Sequence, residues 1–493
     1  MLFLRGISGK IVYHTEETTG RRERVDDRQL MASIAGGDEA ALQALLRRFT
    51  PLFLSFLLTA ILGMFPTLFV RRREQINAKE GYCIVTGAWL LSCFVGTFPY
   101  LLYGGEFNFV NAWFESVSGF TTTGSTILTD VESLPNGLLF WRSATHWIGG
   151  IGVVMFALAI LPSLGKTKMT LYSVELSTLA KDNYRFQTRK IVYILLFVYV
   201  GMTAMATVML RIAGMDWFDA VNHAFSAIST GGFSTKNASI AYFDNLWIEL
   251  VIVFFTFVSG LHFGLIYSTL TGSRNNLFRS EVTRYYFLCA VTGVFLITLS
   301  LWLSGTYGSF ATALRYGLFQ GVTVLTTTGF ATADTNLWTP LAMTVLFFFT
   351  LQCACAGSTA GGIKCDRILL SFKVLRNRIR QQQHPNAVLR IKLNGVTQEE
   401  STINFAMLYI AVYFLFIILG TLINTACGVD FITSLTASAT CMGNVGPGFG
   451  EVGSMESFAA MPGVMKFSST ALMLFGRLEI FGLIQLFMIK WWV

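Results

Sequence analysis

Apolar runs of about 20 residues, long enough to cross a hydrocarbon core, recur near 51–70, 82–103, 138–161, 191–213, 246–270, 285–304, 339–356, 404–426 and 465–492. Each reads as a membrane-spanning helix, and the one near 339 runs into a polar loop. Between some of them lie four half-polar segments: FNFVNAWFESVSGFTTTGST, WFDAVNHAFSAISTGGFST, FATALRYGLFQGVTVLTTTGFAT and FITSLTASATCMGNVGPG. Each predicts a short amphipathic helix, too short to span, followed by a turn rich in Ser, Thr and Gly. Aligned on Gly124, Gly232, Gly329 and Gly446, the segments are 108, 97 and 117 residues apart. The pattern predicts a fourfold repeat of span, half-helix, glycine-centred extended segment and span.

The expected fold is therefore an all-α polytopic membrane protein with four pseudo-symmetric repeats around a single pore. The expected divisions are a polar N-terminal segment at 1–50, an extra span with a cytoplasmic loop at 51–80, and the first repeat at 81–165. A cytoplasmic loop and the second repeat fill 166–280, the third repeat with a broken second span fills 281–372, and a loop and the fourth repeat fill 373–493. Non-helical backbone at membrane depth is tolerated only where protein buries it or a water-filled cavity bathes it. Four such segments in one chain call for a shared aqueous axis. Glycine reaches positive φ at little cost, so a ring of four such turns can aim carbonyl oxygens at a desolvated monovalent cation. The half-helices would add the negative ends of their dipoles.

Composition agrees: 53% of the 493 residues are hydrophobic, 13% are charged, and the mean hydropathy is +0.57. The formal charge of +8 sits in short loops between spans, not in a basic domain with interleaved aromatics, which argues against nucleic acid as a partner. Loop residues such as Arg71, Arg72, Arg73, Lys166, Lys168, Lys181, Arg274, Arg279, Lys364, Arg367 and Arg376 mark the cytoplasmic side. Asp130, Glu132, Asp244, Asp334, Glu451 and Glu456 follow the glycine segments and form an acidic outer rim. The first 48 residues are polar, with RRERVDDR at Arg21–Arg28, and carry no apolar signal-peptide core. Eight scattered cysteines show no CxxC pairing and read as inert buried thiols. His146, His223 and His262 lie in apolar surroundings without local ligand spacing, so packing is favoured over metal, and an intramembrane metalloenzyme is the other function class weighed.

The segments SGFTTTGST, HWIGGIGVVMFALAILP, ISTGGFST, TTTGFATAD, CAGSTAGGIKCDRI, HPNAV, GNVGPGFG and LFGRLEIFGL resemble, in order and over nearly everything after Pro51, the Trk/Ktr/HKT superfamily of potassium transporters, its bacterial TrkH branch most closely. The resemblance implies K⁺ uptake and no enzymatic activity, with K⁺ as the transported ion and no organic cofactor. It implies a selectivity filter of backbone carbonyls at Thr122, Thr123 and Gly124; Thr230, Gly231 and Gly232; Thr327, Thr328 and Gly329; and Asn444, Val445 and Gly446. Plant relatives that prefer sodium carry serine in place of the first filter glycine, so the intact Gly124 favours K⁺, with a Na⁺-permeable or Na⁺-coupled transporter as the alternative.

Two gates are also implied. One is an intramembrane loop of Gly357, Ser358, Thr359, Ala360, Gly361 and Gly362. Its glycine spacing is a near miss to a phosphate-binding loop, but Ile363 intervenes before Lys364 and no strand precedes it. The other gate is Arg477, a charge inside the last span and therefore functional by default, which the resemblance places in the pore as a barrier to cations; Glu479 is two positions on and faces elsewhere on a helix. The resemblance further implies a multi-pass protein of the bacterial inner membrane, a lipid environment, a homodimer and docked cytosolic nucleotide-binding regulatory subunits. TrkH relatives begin with two extra spans, whereas one clear span, 51–70, precedes the first repeat here.

Overall fold

A computed structural model describes residues 78–160, 184–272, 277–384 and 389–487, with a few positions between 39 and 55. The chain divides into two compact units, Met1–Phe49 and Thr50–Val493. The polar segment 1–50 and the span expected at 51–70 fall almost wholly outside the described residues, and 161–183 falls there entirely.

In the second unit one order of elements occurs four times: outer helix, short helix, extended turn, a 3-10 turn and inner helix. The outer helices are α1 Ala78–Gly96 continued by α2 Phe98–Tyr103, α5 Tyr184–Ala213, α9 Glu281–Leu303 and α13 Glu400–Ala426. The short helices are α3 Phe109–Phe120, α6 Trp217–Ile228, α10 Phe310–Leu325 and α14 Phe431–Gly443. The inner helices begin with α4 Asn136–Ile160, α7 Leu246–Ser259, α11 Pro340–Gln352 and α15 Gly463–Arg477.

Each outer helix carries a stretch long and apolar enough to cross a membrane, and only 28–39% of those stretches is buried, so most of their surface faces outward. That suits contact with lipid, which supplies no hydrogen bonds but needs none from a helix. The short helices, of 12, 12, 16 and 13 residues, rise about 1.5 Å per residue and fall short of a core about 30 Å thick. Local chemistry starts each of them in the same way. Asn108, Asp216, Ser309 and Asp430 accept a hydrogen bond from the backbone N–H three residues on, at 2.9, 2.9, 3.1 and 2.9 Å. Such a cap is worth about 1 kcal/mol.

The buried apolar residues form two clusters, one drawn mainly from the second and third repeats and the other mainly from the first and fourth. Short helices and turns lie where the two clusters meet, since Val445 of the fourth turn belongs to the first cluster and Ile363 to the second.

Two expected continuous spans are broken. The run 246–270 forms α7 and α8 Phe263–Leu270, bent by 100°. The run 465–492 forms α15 and α16 Phe481–Phe487, separated by Leu478–Ile480, where Glu479 and Ile480 take φ of 57° and 40°. The expected break after 339 is present: α11 ends at Gln352 and α12 Cys365–Gln383 follows the loop 353–364. These breaks satisfy one another. The Gly260 carbonyl accepts from the Cys355 amide at 3.0 Å, and the Phe263 amide donates to the Gly357 carbonyl at 3.1 Å. Backbone groups released by one broken helix are thus paired with those of the next, as a site shielded from water requires. Beyond α12 a two-strand hairpin, β1 Lys392–Leu393 and β2 Val396–Thr397, sits near the start of α9, with Lys373 bonded to both Glu281 and the Lys392 carbonyl.

Candidate functional site

The four glycine turns adopt one backbone conformation. Two residues before each glycine, Thr122, Thr230, Thr327 and Asn444 have φ of 53°, 54°, 59° and 54°, and Gly124, Gly232, Gly329 and Gly446 have φ of 82°, 83°, 72° and 105°. Residues of positive φ alternating with residues that lack it turn successive carbonyls toward one side. For a β-branched threonine this conformation costs about 1–2 kcal/mol, so it exists only because the surroundings hold it. The equivalence also fixes the register of the fourth, most divergent segment.

The turns close into a ring. A Cβ added to Gly124 would overlap the carbonyl oxygen of Gly231; one on Gly232 would overlap that of Thr328, and one on Gly329 that of Val445. On Gly446 it would lie 2.7 Å from the carbonyl oxygen of Thr123, which returns to the first segment. Each glycine therefore packs against the carbonyl one residue before the glycine of the next segment, in cyclic order. All twelve residues expected in the filter are brought together in this ring. Side chains reinforce its last seam: the Ser125 hydroxyl donates to the Gly446 carbonyl at 2.9 Å, and Asn444 Nδ2 donates to Thr123 Oγ1 at 3.0 Å and to the Met473 carbonyl at 2.9 Å. Each short helix ends just before its turn, so four carbonyl ends converge on the ring and add negative potential.

The loop 353–364 lies against the same turns. Thr230 Oγ1 and Thr359 Oγ1 are 3.2 Å apart, Thr359 Oγ1 donates to the Ile228 carbonyl at 3.1 Å, and the Gly361 amide donates to Thr327 Oγ1 at 3.3 Å. Gly361 also packs on the Gly443 carbonyl and Asn444. The expected loop residues thus touch the second, third and fourth turns. Within the loop Cys353, Gly357, Gly362 and Lys364 all have positive φ. A Cβ on Gly357 would strike the His262 ring and one on Gly362 the Cys353 side chain.

Arg477 is 3% exposed. Its guanidinium donates to the Thr359 carbonyl at 2.6 Å and to the Gly149 carbonyl at 3.0 Å, so it joins the loop to α4. Its partner is not Glu479, which instead pairs with Lys364 at 2.8 Å and Arg367 at 2.5 Å. The short break between α15 and α16 consequently grips the loop at two places.

Sequence reasoning did not find a buried pair beside the ring. Glu115, fully buried, accepts from Arg142 Nε at 2.7 Å, and the Arg142 guanidinium lies 4.1 Å from the centre of the Phe233 ring. A charged residue in each of two apolar helices, α3 and α4, was the available signal. The three histidines do not converge: His146 stacks on Phe233, His223 bonds Asp219 and Ser234, and His262 accepts from the Gly264 amide. No cluster of three metal-binding side chains occurs among the described residues. The cysteines described are all free.

Comparison with known proteins matches residues 51–491 to the family model TrkH, described as cation transport protein. The Trk system potassium uptake protein TrkH of Salmonella typhimurium is 38% identical over 426 residues, covering 86% of this chain and 88% of its own. The Trk system potassium uptake protein TrkG of Escherichia coli is 34% identical over 425 residues, covering 85% and 86%. The crystal structure of the potassium transporter TrkH from Vibrio parahaemolyticus superposes with a TM-score of 0.82 at 30% identity, covering 95% of this chain and 97% of that one.

Proposed function

This chain belongs to the TrkH family of cation transport proteins, and from that premise we propose that it carries K⁺ into the cell through the ring of glycine turns. The observation that carries the reading is the cyclic packing of Gly124, Gly232, Gly329 and Gly446 against the carbonyls of Gly231, Thr328, Val445 and Thr123. Rings of backbone carbonyls replace the hydration shell of a monovalent cation. The twelve ring residues are the filter, with one filter segment in each of the four repeats, in the divisions 81–165, 166–280, 281–372 and 373–493. The family's activity is transport, and no step of it calls for a catalytic residue or an organic cofactor. Relatives named for potassium uptake support K⁺ as the cargo. Passage of Na⁺ is the second reading, since carbonyl rings differ between the two ions only in how far they yield.

Under this reading the loop Gly357–Gly362 and Arg477 form the closed gate. The loop occupies the ring's floor, and the buried guanidinium places positive charge where a cation must pass. Opening requires the loop to leave Thr230 and Thr327 and Arg477 to release the Thr359 carbonyl. The α12 helix, joined to the loop at Cys365, is the handle by which a cytosolic nucleotide-binding subunit would act, and its basic face suits the cytoplasmic side of a bacterial inner membrane. A homodimer, as the family resemblance implies, would leave each chain its own ring.

The test is growth of a potassium-uptake-deficient bacterium on low K⁺. The chain is expected to restore growth and its Gly124→Ser variant to fail at equal expression. No rescue by the expressed wild type would overturn the K⁺ reading, and rescue that depends on added Na⁺ would replace it with the second one.

A further inference from the structure

The four ring turns are alike in backbone and unlike directly behind it. Nine residues before each glycine stand Glu115, His223, Gln320 and Ala437. All four are buried. The first three reach forward to the chain that leaves their own glycine. Glu115 accepts from the Ile127 amide at 3.1 Å and the Thr126 hydroxyl at 3.0 Å. His223 Nδ1 is 2.7 Å from the Asp219 carbonyl, which holds the ring proton there, so Nε2 accepts from the Ser234 hydroxyl at 2.9 Å. Gln320 Nε2 donates to the Ala333 carbonyl at 3.1 Å. Ala437 has no group to reach with, and its neighbour Thr436 supplies a neutral bond instead, accepting from the Phe449 amide at 3.0 Å.

The supports are unequal. Glu115 is charged and held by Arg142, whose guanidinium also donates to the Ser234 carbonyl at 3.2 Å and to Thr126 Oγ1 at 3.2 Å. Charge-assisted bonds are roughly twice as strong as neutral ones, and Arg142 ties the chain beyond the first turn to that beyond the second. On the opposite side Gln320 Oε1 has no protein partner. Gln320 there borders a cavity of about 20 Å³ together with Thr335, Thr436, Pro447 and Gly448. A space of that size holds about one water, which leaves the third and fourth turns room to move.

We propose that Glu115, His223 and Gln320 are positioning residues for cation selection: each fixes the chain leaving its glycine, so that the carbonyl ring keeps its width and does not contract around a smaller ion. The pair Glu115–Arg142 makes one half of the ring stiff, and the other half is compliant. This rests on the reading of the ring as a K⁺ filter.

The test uses the purified full-length chain in liposomes, with K⁺ and Na⁺ influx measured under equal gradients and folding followed by gel filtration and melting temperature. His223→Leu and Gln320→Leu remove a support without stranding a buried charge. Each is expected to lower the K⁺:Na⁺ flux ratio by about three- to tenfold, the equivalent of one net hydrogen bond, while K⁺ influx stays close to that of the wild type. His223→Gln, which keeps an acceptor for Ser234, is expected to recover most of the ratio. Glu115→Gln is expected to lower it further, and because it leaves Arg142 poorly compensated, the neutral variants decide the matter if it does not fold. Wild-type selectivity in His223→Leu and Gln320→Leu, whatever their melting temperatures, would overturn the inference while leaving the filter intact. A wild type that passes K⁺ and Na⁺ alike would overturn the filter reading and the inference with it.

Discussion

Gly124 is constrained twice over. At φ 82° a side chain is strained by about 1–2 kcal/mol, and the space a Cβ needs is filled by the Gly231 carbonyl oxygen. Serine there must push a ligand carbonyl aside, so Gly124→Ser is expected to lower K⁺ influx by tenfold or more, on the order of the 1.4 kcal/mol that a tenfold change represents, with tracer rubidium flux in liposomes as the measurement. Arg477→Ala removes the charge and two bonds to backbone carbonyls. Its rubidium influx is expected to rise severalfold, and unchanged influx would count against a barrier role. Glycine spacing made the ring positions legible in the sequence. The left-handed threonines at 122, 230 and 327 were not, because threonine disfavours that conformation and only the closed ring imposes it. The partners of Arg477 were equally hidden, since a main-chain carbonyl carries no side-chain signature.

Among the elements, the broken helices carry the most information. Among the described residues, three of the four inner helices are interrupted, at Gly260–His262, at 353–364 and at Leu478–Ile480. The first two breaks exchange backbone hydrogen bonds, and the third holds the loop through Glu479 and Arg477. Loosening the middle one frees polar groups in the other two. Glu479→Gln weakens both ion pairs to Lys364 and Arg367, so it is expected to raise basal cation influx and lower the melting temperature by a few degrees; a closed, unchanged channel in flux assays would sink the idea of a latch. Shortness and polarity exposed the loop after 339 to sequence reading. The bend in 246–270 was invisible to it, because hydropathy records apolar length and not where a neighbouring loop takes over hydrogen bonds.

For the whole molecule, the ring joins the start of the chain to its end, and the apolar core parts into a half from the first and fourth repeats and a half from the second and third. The all-helical membrane class was readable because the hydropathy pattern survives without tertiary contacts; which repeat packs on which was not, because that depends on pairings such as Ser125 with Gly446 that lie 321 residues apart. The exposed carboxylates Asp130, Glu451 and Glu456 beyond the turns attract cations over about 10 Å at 0.1 M salt, whereas Asp244 is already paired with Arg315 at 2.8 Å. Adding an impermeant salt at low K⁺ is therefore expected to slow uptake by about twofold as screening shortens that range, and uptake indifferent to ionic strength would refute steering by the rim. The ring is also one covalent chain, not four copies of a subunit, and a Cβ added at Gly446 would stand farther from the neighbouring carbonyl oxygen than at the other three glycines. An ion seated in the ring would have no symmetry axis to occupy, so carbon-13 labels on the carbonyls of Thr123, Gly231, Thr328 and Val445 are expected to shift by unequal amounts as K⁺ is titrated in, and equal shifts would count against this asymmetry.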